Sequence, residues 1–340
     1  MKILFIGKNY GHSKLNYKAI KSLHPKTTFL DSSKIIKGIY YHIFYHLMPS
    51  LFNNIITNFY KNNITQKYDL IFFSNVEFIN HEVIKKLRKK TNNIYFYCSD
   101  NPFVNRDKKK WELIKSVISK FDLMIFHQKS REKYIKKFKI KKYVIIIPPY
   151  YKDLQFNNYK KKTNKRNICF VGTWFPERGK FFYELKKLGL EFNIYGPRWD
   201  KDKKYYKYLK DNITLKRLSI NECAKIVSTY KIGISLLSKD NNDDITHRCI
   251  EIPAIGSLLC CQRTKTMKKI LIENKEAIYF DTPKECFNQC EKLVNNEKRL
   301  NKISKNGNYK ITKILKPEAR RVFKSVLNQQ LLKNQFLYKF

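Results

Sequence analysis

The chain has 340 residues and a mass of 41.0 kDa, more than twice the length of a typical domain, so two domains are expected. Lys and Arg number 70 against 28 Asp and Glu, a formal charge of +42 that suits an anionic partner. Hydrophobic residues at 43%, with 24 Phe and 23 Tyr, exclude a chain that stays disordered. Only 12 of the 70 basic residues are Arg, whereas a protein that grips phosphates by bidentate geometry is expected to use more of them. Lys, Asn, Ile, Tyr and Phe are abundant together, as A- and T-rich codons would write them. The charge is therefore read first as solvated surface, and only weakly as a nucleic-acid footprint.

The chain opens on an apolar strand, Lys2–Gly7, without the apolar core and small-residue cleavage site of a signal peptide, which points to a cytoplasmic protein. Short apolar runs then alternate with longer amphipathic stretches. Strands are expected at Asp69–Ser74, Ile94–Cys98, Leu123–Phe126 and Val144–Ile147, and helices near residues 13–24, 80–90, 107–120 and 129–139. That alternation is the signal for a parallel sheet with crossover helices. Residues 38–60 carry no Lys, Arg, Asp or Glu. Pro49, two His and three Asn dilute the run too far for a membrane span, so a helix packed in the core or a cleft is the first reading. Contact with an anionic membrane surface is the second. His42 and His46 share a helix face there, and no third metal ligand accompanies them.

Pro148 and Pro149 stop the pattern, and the polar, Lys-rich residues 151–166 read as a linker. The same alternation restarts with strands at Asn167–Gly172, Glu191–Gly196, Ile232–Leu237, Ser257–Cys261 and Ala277–Asp281, and a final helix is expected from Pro317 to Leu332. The expected organisation is a domain over 1–150, the linker, a second domain over 167–315 and a helical tail over 316–340. Two such halves would place a ligand in a cleft where the carboxyl ends of both sheets meet. The eight cysteines lie mostly in apolar runs with no CxxC spacing. Cys286 and Cys290 are one helical turn apart, with nothing in the sequence to complete a zinc site.

Two units carry chemistry. In Ile168–Arg178 a strand runs into Gly172 and then a helix that bears Arg178 near its start. A glycine lets backbone approach a phosphate, and helix amides with an Arg favour it, although the same arrangement is common in αβ domains. In His247–Gly256 the single acid, Glu251, sits among apolar residues. It would either hold ribose hydroxyls or pair with Arg248.

The stretch Arg248-Cys-Ile-Glu-Ile-Pro-Ala-Ile-Gly256, followed by Arg263-Thr264 and Asn274–Asp281, resembles the CgeB-like glycosyltransferases, relatives of the spore maturation protein. Phe170–Trp174 with Arg178, Ile194–Trp199 and Ser99–Pro102 agree with that family's other elements, and the motif support covers about residues 90–310. The resemblance implies a GT-B fold, α/β, with two Rossmann-like domains whose parallel sheets face a central cleft. It implies a hexosyltransferase that moves a sugar from a nucleotide-sugar donor to a glycan or glycoconjugate hydroxyl of the cell envelope or surface, with no cofactor and no metal. On the matching positions, Glu251 would take the donor ribose, Arg178 and Arg248 would face the diphosphate, and Gly172, Thr173 and Gly196 would line the phosphate loops. The second acid that related retaining enzymes place before the ribose Glu has only Asp243 and Asp244 as counterparts here.

A general base belongs at the carboxyl edge of the N-terminal sheet. Asp100 and His12 are the candidates, against an Asx turn before Pro102 and a solvated loop histidine. A basic nucleic-acid-binding protein is the alternative from another class, with a nucleotide-sugar epimerase the alternative within the same fold.

Overall fold

In the computed structural model, residues 1–151 and 166–328 are described, and most of the expected linker lies outside them. The chain forms two compact units. The first comprises Met1–Ile147, Ser238–Asp243 and the chain from Ala319 onward; the second comprises Pro148–Leu237 and Asp244–Glu318.

The first unit is an α/β layer structure on a six-stranded parallel sheet, β1 (Ile3–Gly7), β2 (Thr28–Asp31), β3 (Leu70–Ser74), β4 (Ile94–Cys98), β5 (Leu123–Phe126) and β6 (Tyr143–Ile145), in the order β2-β1-β3-β4-β5-β6. Every residue of β1, β3, β4 and β5 is buried, as expected for a parallel sheet covered on both faces. Aromatic rings fill the core. Phe5 stacks on Phe72 with centroids 5.5 Å apart, and Phe323 of the helix Ala319–Leu327 meets Phe72 at 5.9 Å and Tyr97 at 5.8 Å.

Residues 38–60 form two helices, Gly38–His46 and Asn53–Asn63, joined by the single turn Pro49–Phe52. Tyr41 is half-buried, and Phe44, Phe52, Ile56 and Tyr60 are buried. The segment is therefore a half-buried surface layer, where the first reading of the sequence was a helix packed in the core or a cleft. The reason is the pattern of the first helix: apolar side chains run around all of Gly38–His46, and a surface helix can bury only one face. His42 is exposed, and His46 lies 2.8 Å from Lys108 Nζ through its Nδ1.

The second unit carries β7 (Arg166–Val171), β8 (Asn193–Gly196), β9 (Ile213–Leu215), β10 (Tyr230–Ser235), β11 (Leu258–Gln262) and β12 (Ile278–Phe280), all parallel, in the order β12-β11-β10-β7-β8-β9. This is the doubly wound Rossmann order, with its reversal between β7 and β10. The helix Ile220–Ser228 starts in a reciprocal cap between Ser219 and Glu222, and Pro283–Val294 starts at Thr282, which accepts from Glu285 N. The helix His247–Ile255 ends at Gly256, whose φ of 92° is left-handed and favours glycine. Cys260 joins Cys286 and Cys290, with sulfurs 3.8 and 3.7 Å apart. The sequence spacing does not reveal that meeting. It gives three buried thiols, and among the described residues no fourth ligand completes a tetrahedral set.

Candidate donor site in the second unit

The carboxyl ends of β7, β8 and β9 enclose a cavity of about 610 Å³, walled by Gly172, Thr173, Gly196, Arg198, Arg217 and Arg248, with Val171, Tyr195, Pro197, Leu218 and Cys223 between them. Three walls are arginine and none is acidic. The two glycine loops are joined through backbone. Gly172 N donates to Tyr195 O at 2.9 Å, and Trp174 N donates to Pro197 O at 3.1 Å. The buried Trp199 closes the seam by donating from Nε1 to Gly172 O at 3.0 Å. A Cβ on Gly196 would stand 2.1 Å from Gly172 O, so the close approach of these loops requires a residue without one.

The expected site residues divide into wall and support. Gly172, Thr173, Gly196 and Arg248 line the cavity. Arg178 is buried behind it: Nη1 donates to Thr173 O at 2.6 Å, Nη2 to Leu236 O at 3.2 Å, and its guanidinium lies 4.7 Å from the Phe175 ring. Its work in this structure is to hold the carbonyl side of the Gly172 loop. Glu251 is fully buried and forms an ion pair with Arg248, three residues before it on the same helix face. Burial works against the Arg248 charge, and the neighbouring Glu251 carboxylate and Cys223 together more than offset it, raising the guanidinium above its ordinary range. Arg248 also donates from Nε to Val171 O at 3.3 Å. Asp244 is held by Thr266, and neither it nor Asp243 is on the cavity wall. Arg263 sits among Glu273, Asp281 and Glu285, away from that wall.

Sequence reasoning passed over Arg198 and Arg217 as ligand groups. Both are exposed on the cavity wall, and among the described residues neither has a carboxylate partner. The signal was present in Gly-Pro-Arg-Trp, where Arg198 takes a left-handed φ of 69° just after the glycine loop. Arg217 follows a three-residue strand too short to read from a pattern.

In the first unit, the candidate bases lie after β1 and β4. His12 is half-buried at the start of the helix Gly11–Leu23. Asp100 accepts from Arg106 Nη2 at 3.1 Å, and Lys110 Nζ lies 3.6 Å from its second oxygen. Burial would raise the Asp100 carboxyl, but Lys110 and Arg106 overcome it and hold the group at about 2. Two further groups gather at this edge of the sheet. Glu77, fully buried, pairs with Lys8 at 2.8 Å and accepts from Tyr41. His127, also buried, meets the Tyr97 hydroxyl at 2.6 Å and is pulled down to about 3 by burial, with His12 and Arg131 adding to it. Asp243 is pushed up to about 6 by burial, against the pull of Arg131.

Comparisons with known proteins fit this architecture. A family model described as glycosyl transferase-like matches residues 178–322. The chain matches no curated protein. Among solved structures it is similar to sucrose-phosphate synthase from Thermosynechococcus elongatus, with TM-score 0.70 and 11% identity over 97% of this chain and 98% of that one. It is also similar to HepE of Anabaena in complex with UDP and glucose, with TM-score 0.69 and 10% identity over 97% and 99%. TarM of S. aureus, in complex with fondaparinux, α-GlcNAc-glycerol and UDP, gives TM-score 0.60 and 16% identity over 82% of this chain and 58% of that one. Two Rossmann-like units on parallel sheets, together with these neighbours, define a GT-B type fold.

Proposed function

We propose that the chain is a metal-independent glycosyltransferase of the CgeB-like kind, moving a hexosyl group from a nucleotide-sugar donor to a hydroxyl of a cell-envelope or surface glycan or glycoconjugate. The observation that carries this reading is the acid-free, three-arginine cavity at the carboxyl ends of β7, β8 and β9. A nucleoside diphosphate is the anion that fits such a place in a Rossmann unit. The match of residues 178–322 to the glycosyl transferase-like model supports the same reading, as do the UDP and glucose named in the HepE complex.

In this reading Arg198, Arg217 and Arg248 face the diphosphate, beside the backbone of Gly172, Thr173 and Gly196. Fixed positive groups then stabilise the charge that builds on the departing nucleoside diphosphate as the sugar leaves, which is the task a divalent ion performs elsewhere. Glu251 orients Arg248 and is the residue assigned to the ribose; Arg178 fixes the Thr173 carbonyl. The acceptor belongs to the first unit, with Asp100 or His12 taking its proton. The protein would work in the cytoplasm, at the inner face of the membrane.

The test is a thermal-shift screen of nucleoside diphosphates and nucleotide sugars with EDTA present, run on the wild type, Arg198→Ala and Arg217→Ala. A ligand bound only by the native state raises the melting temperature. One nucleotide family is expected to stabilise the wild type, with each variant binding about tenfold more weakly, the worth of a charge-assisted hydrogen bond. Because both side chains are exposed, the ligand-free melting temperature should hold. No shift with any nucleotide, beside stabilisation by RNA or DNA that falls steeply with salt, would replace the proposal with the nucleic-acid reading. Isomerised donor released without acceptor would replace it with an epimerase.

A further inference from the structure

We infer that residues 39–55, with the lysine-lined groove beside them, form a docking surface for a bilayer that contains anionic phospholipid. Ile39, Tyr40, Leu47, Met48, Leu51 and Ile55 are between 52% and 66% exposed. The other large exposed apolar side chains are scattered singly over the described chain. These six fall within 17 residues that hold no Lys, Arg, Asp or Glu. A concentration of this kind marks an interaction surface. Leu47, Met48 and Leu51 lie on the connection between the two helices, and Ile55 lies in the first turn of the second. The opposite side is anchored by Phe44, Phe52, Ile56 and Tyr60 in the core, so the outward residues are held in place.

The charge beside this surface selects the partner. A groove of about 380 Å³ runs along the helices Asn53–Asn63 and His81–Arg88, walled by Lys61, Lys86, Lys89 and Lys90 with Ile64 and Leu87. No acid lines it. Lys90 donates to Thr65 O, while among the described residues Lys61, Lys86 and Lys89 have no carboxylate partner. The acid on the second helix is Glu82, in its first turn. The two helices are tied together by Asn80, which caps the second through Val83 N and donates to Asn53 Oδ1 at 3.0 Å.

Apolar residues that enter the acyl boundary, with lysines that meet headgroup phosphates, are the composition of an interfacial element. The helices have 9 and 11 residues, and no helix of the described residues is long and apolar enough to cross a membrane, so the element lies on the bilayer. A second copy of the chain would bring lysines against lysines, which disfavours self-association as the occupant. The inference does not depend on the transfer reading.

The experiment is co-sedimentation of the full chain with phosphatidylcholine vesicles, with and without phosphatidylglycerol. The wild type is expected to sediment with the anionic vesicles alone. Leu47→Ser/Leu51→Ser/Ile55→Ser should weaken partitioning by about tenfold or more, from lost apolar burial, and Lys86→Glu/Lys89→Glu by a similar factor, from lost headgroup attraction. Unchanged melting temperatures and nucleotide-induced shifts show that the variants fold. Wild-type protein left in the supernatant at low salt overturns the inference. So does a triple serine variant that sediments like wild type, which would mean adhesion by general charge, or sedimentation without vesicles, which would mean self-association.

Discussion

Asp100 shows how its neighbours set what a carboxylate can do. With Arg106 and Lys110 on its two oxygens it stays ionised down to about pH 2, so it binds a proton weakly. If it is the base, the acid limb of kcat/KM lies far below neutrality. A pH profile that stays level from about pH 7 down to about 5 is the expected result, and a rate that falls within that window removes Asp100 as the base. The same pairing has a stability consequence. A carboxyl whose folded pKa is lowered adds stability above its unfolded value of 3.8, and that contribution is lost as pH falls toward about 2. Urea midpoints of wild type and Asp100→Asn should therefore differ by a constant amount from about pH 5 to 8 and converge below about pH 4. A difference that persists at low pH would mean the pairing is not what holds the site.

At the scale of elements, the loops after β7 and β8 are one object because Gly196 and Gly172 touch. Gly196→Ala forces a methyl into a backbone carbonyl, which should cost about 1–3 kcal/mol and abolish nucleotide-induced thermal shifts. A variant that still bound nucleotide as wild type would mean that the seam can open at no cost to the site. The helix Ala319–Leu327 follows the second unit in sequence but belongs to the first. Phe323→Ala should destabilise that unit by about 3–5 kcal/mol, the usual loss for a buried ring, read as a lower denaturant midpoint. Much of this was legible in the sequence. The ten expected strands are present, and the two that went unseen, β2 and β9, are short edge strands with mostly exposed or half-exposed residues. An edge strand lacks the continuous apolar run that betrays a buried one. The glycine loops and the Arg248–Glu251 helix were legible because their spacing is local. Arg217, and the meeting of Cys260 with Cys286 and Cys290, depend on chain segments brought together by the fold, which no local pattern carries.

Over the whole molecule, 70 basic against 28 acidic residues means that the folded chain works against its own repulsion. Raising salt from low to physiological levels screens that repulsion and should raise the melting temperature by a few degrees, in the absence of any ligand. A melting temperature that falls instead would show that specific surface ion pairs outweigh the net charge. The route of the chain matters as well. It passes from the first unit to the second, returns for Ser238–Asp243, enters the second again and ends in the first. Asn241 secures the brief return by accepting from Asn101 N at 3.1 Å, and its own carbonyl accepts from Asn101 Nδ2 and from Arg131.

That route fixes an order of assembly during synthesis. When the ribosome has made the first 147 residues, the N-terminal sheet is complete, but the aromatic faces of Phe72 and Tyr97 still await Phe323. The second unit has all its strands in hand by residue 280. The nascent N-terminal half therefore waits through the making of nearly all the rest of the chain with part of its core uncovered. During that interval it is the portion most exposed to chaperones and proteases.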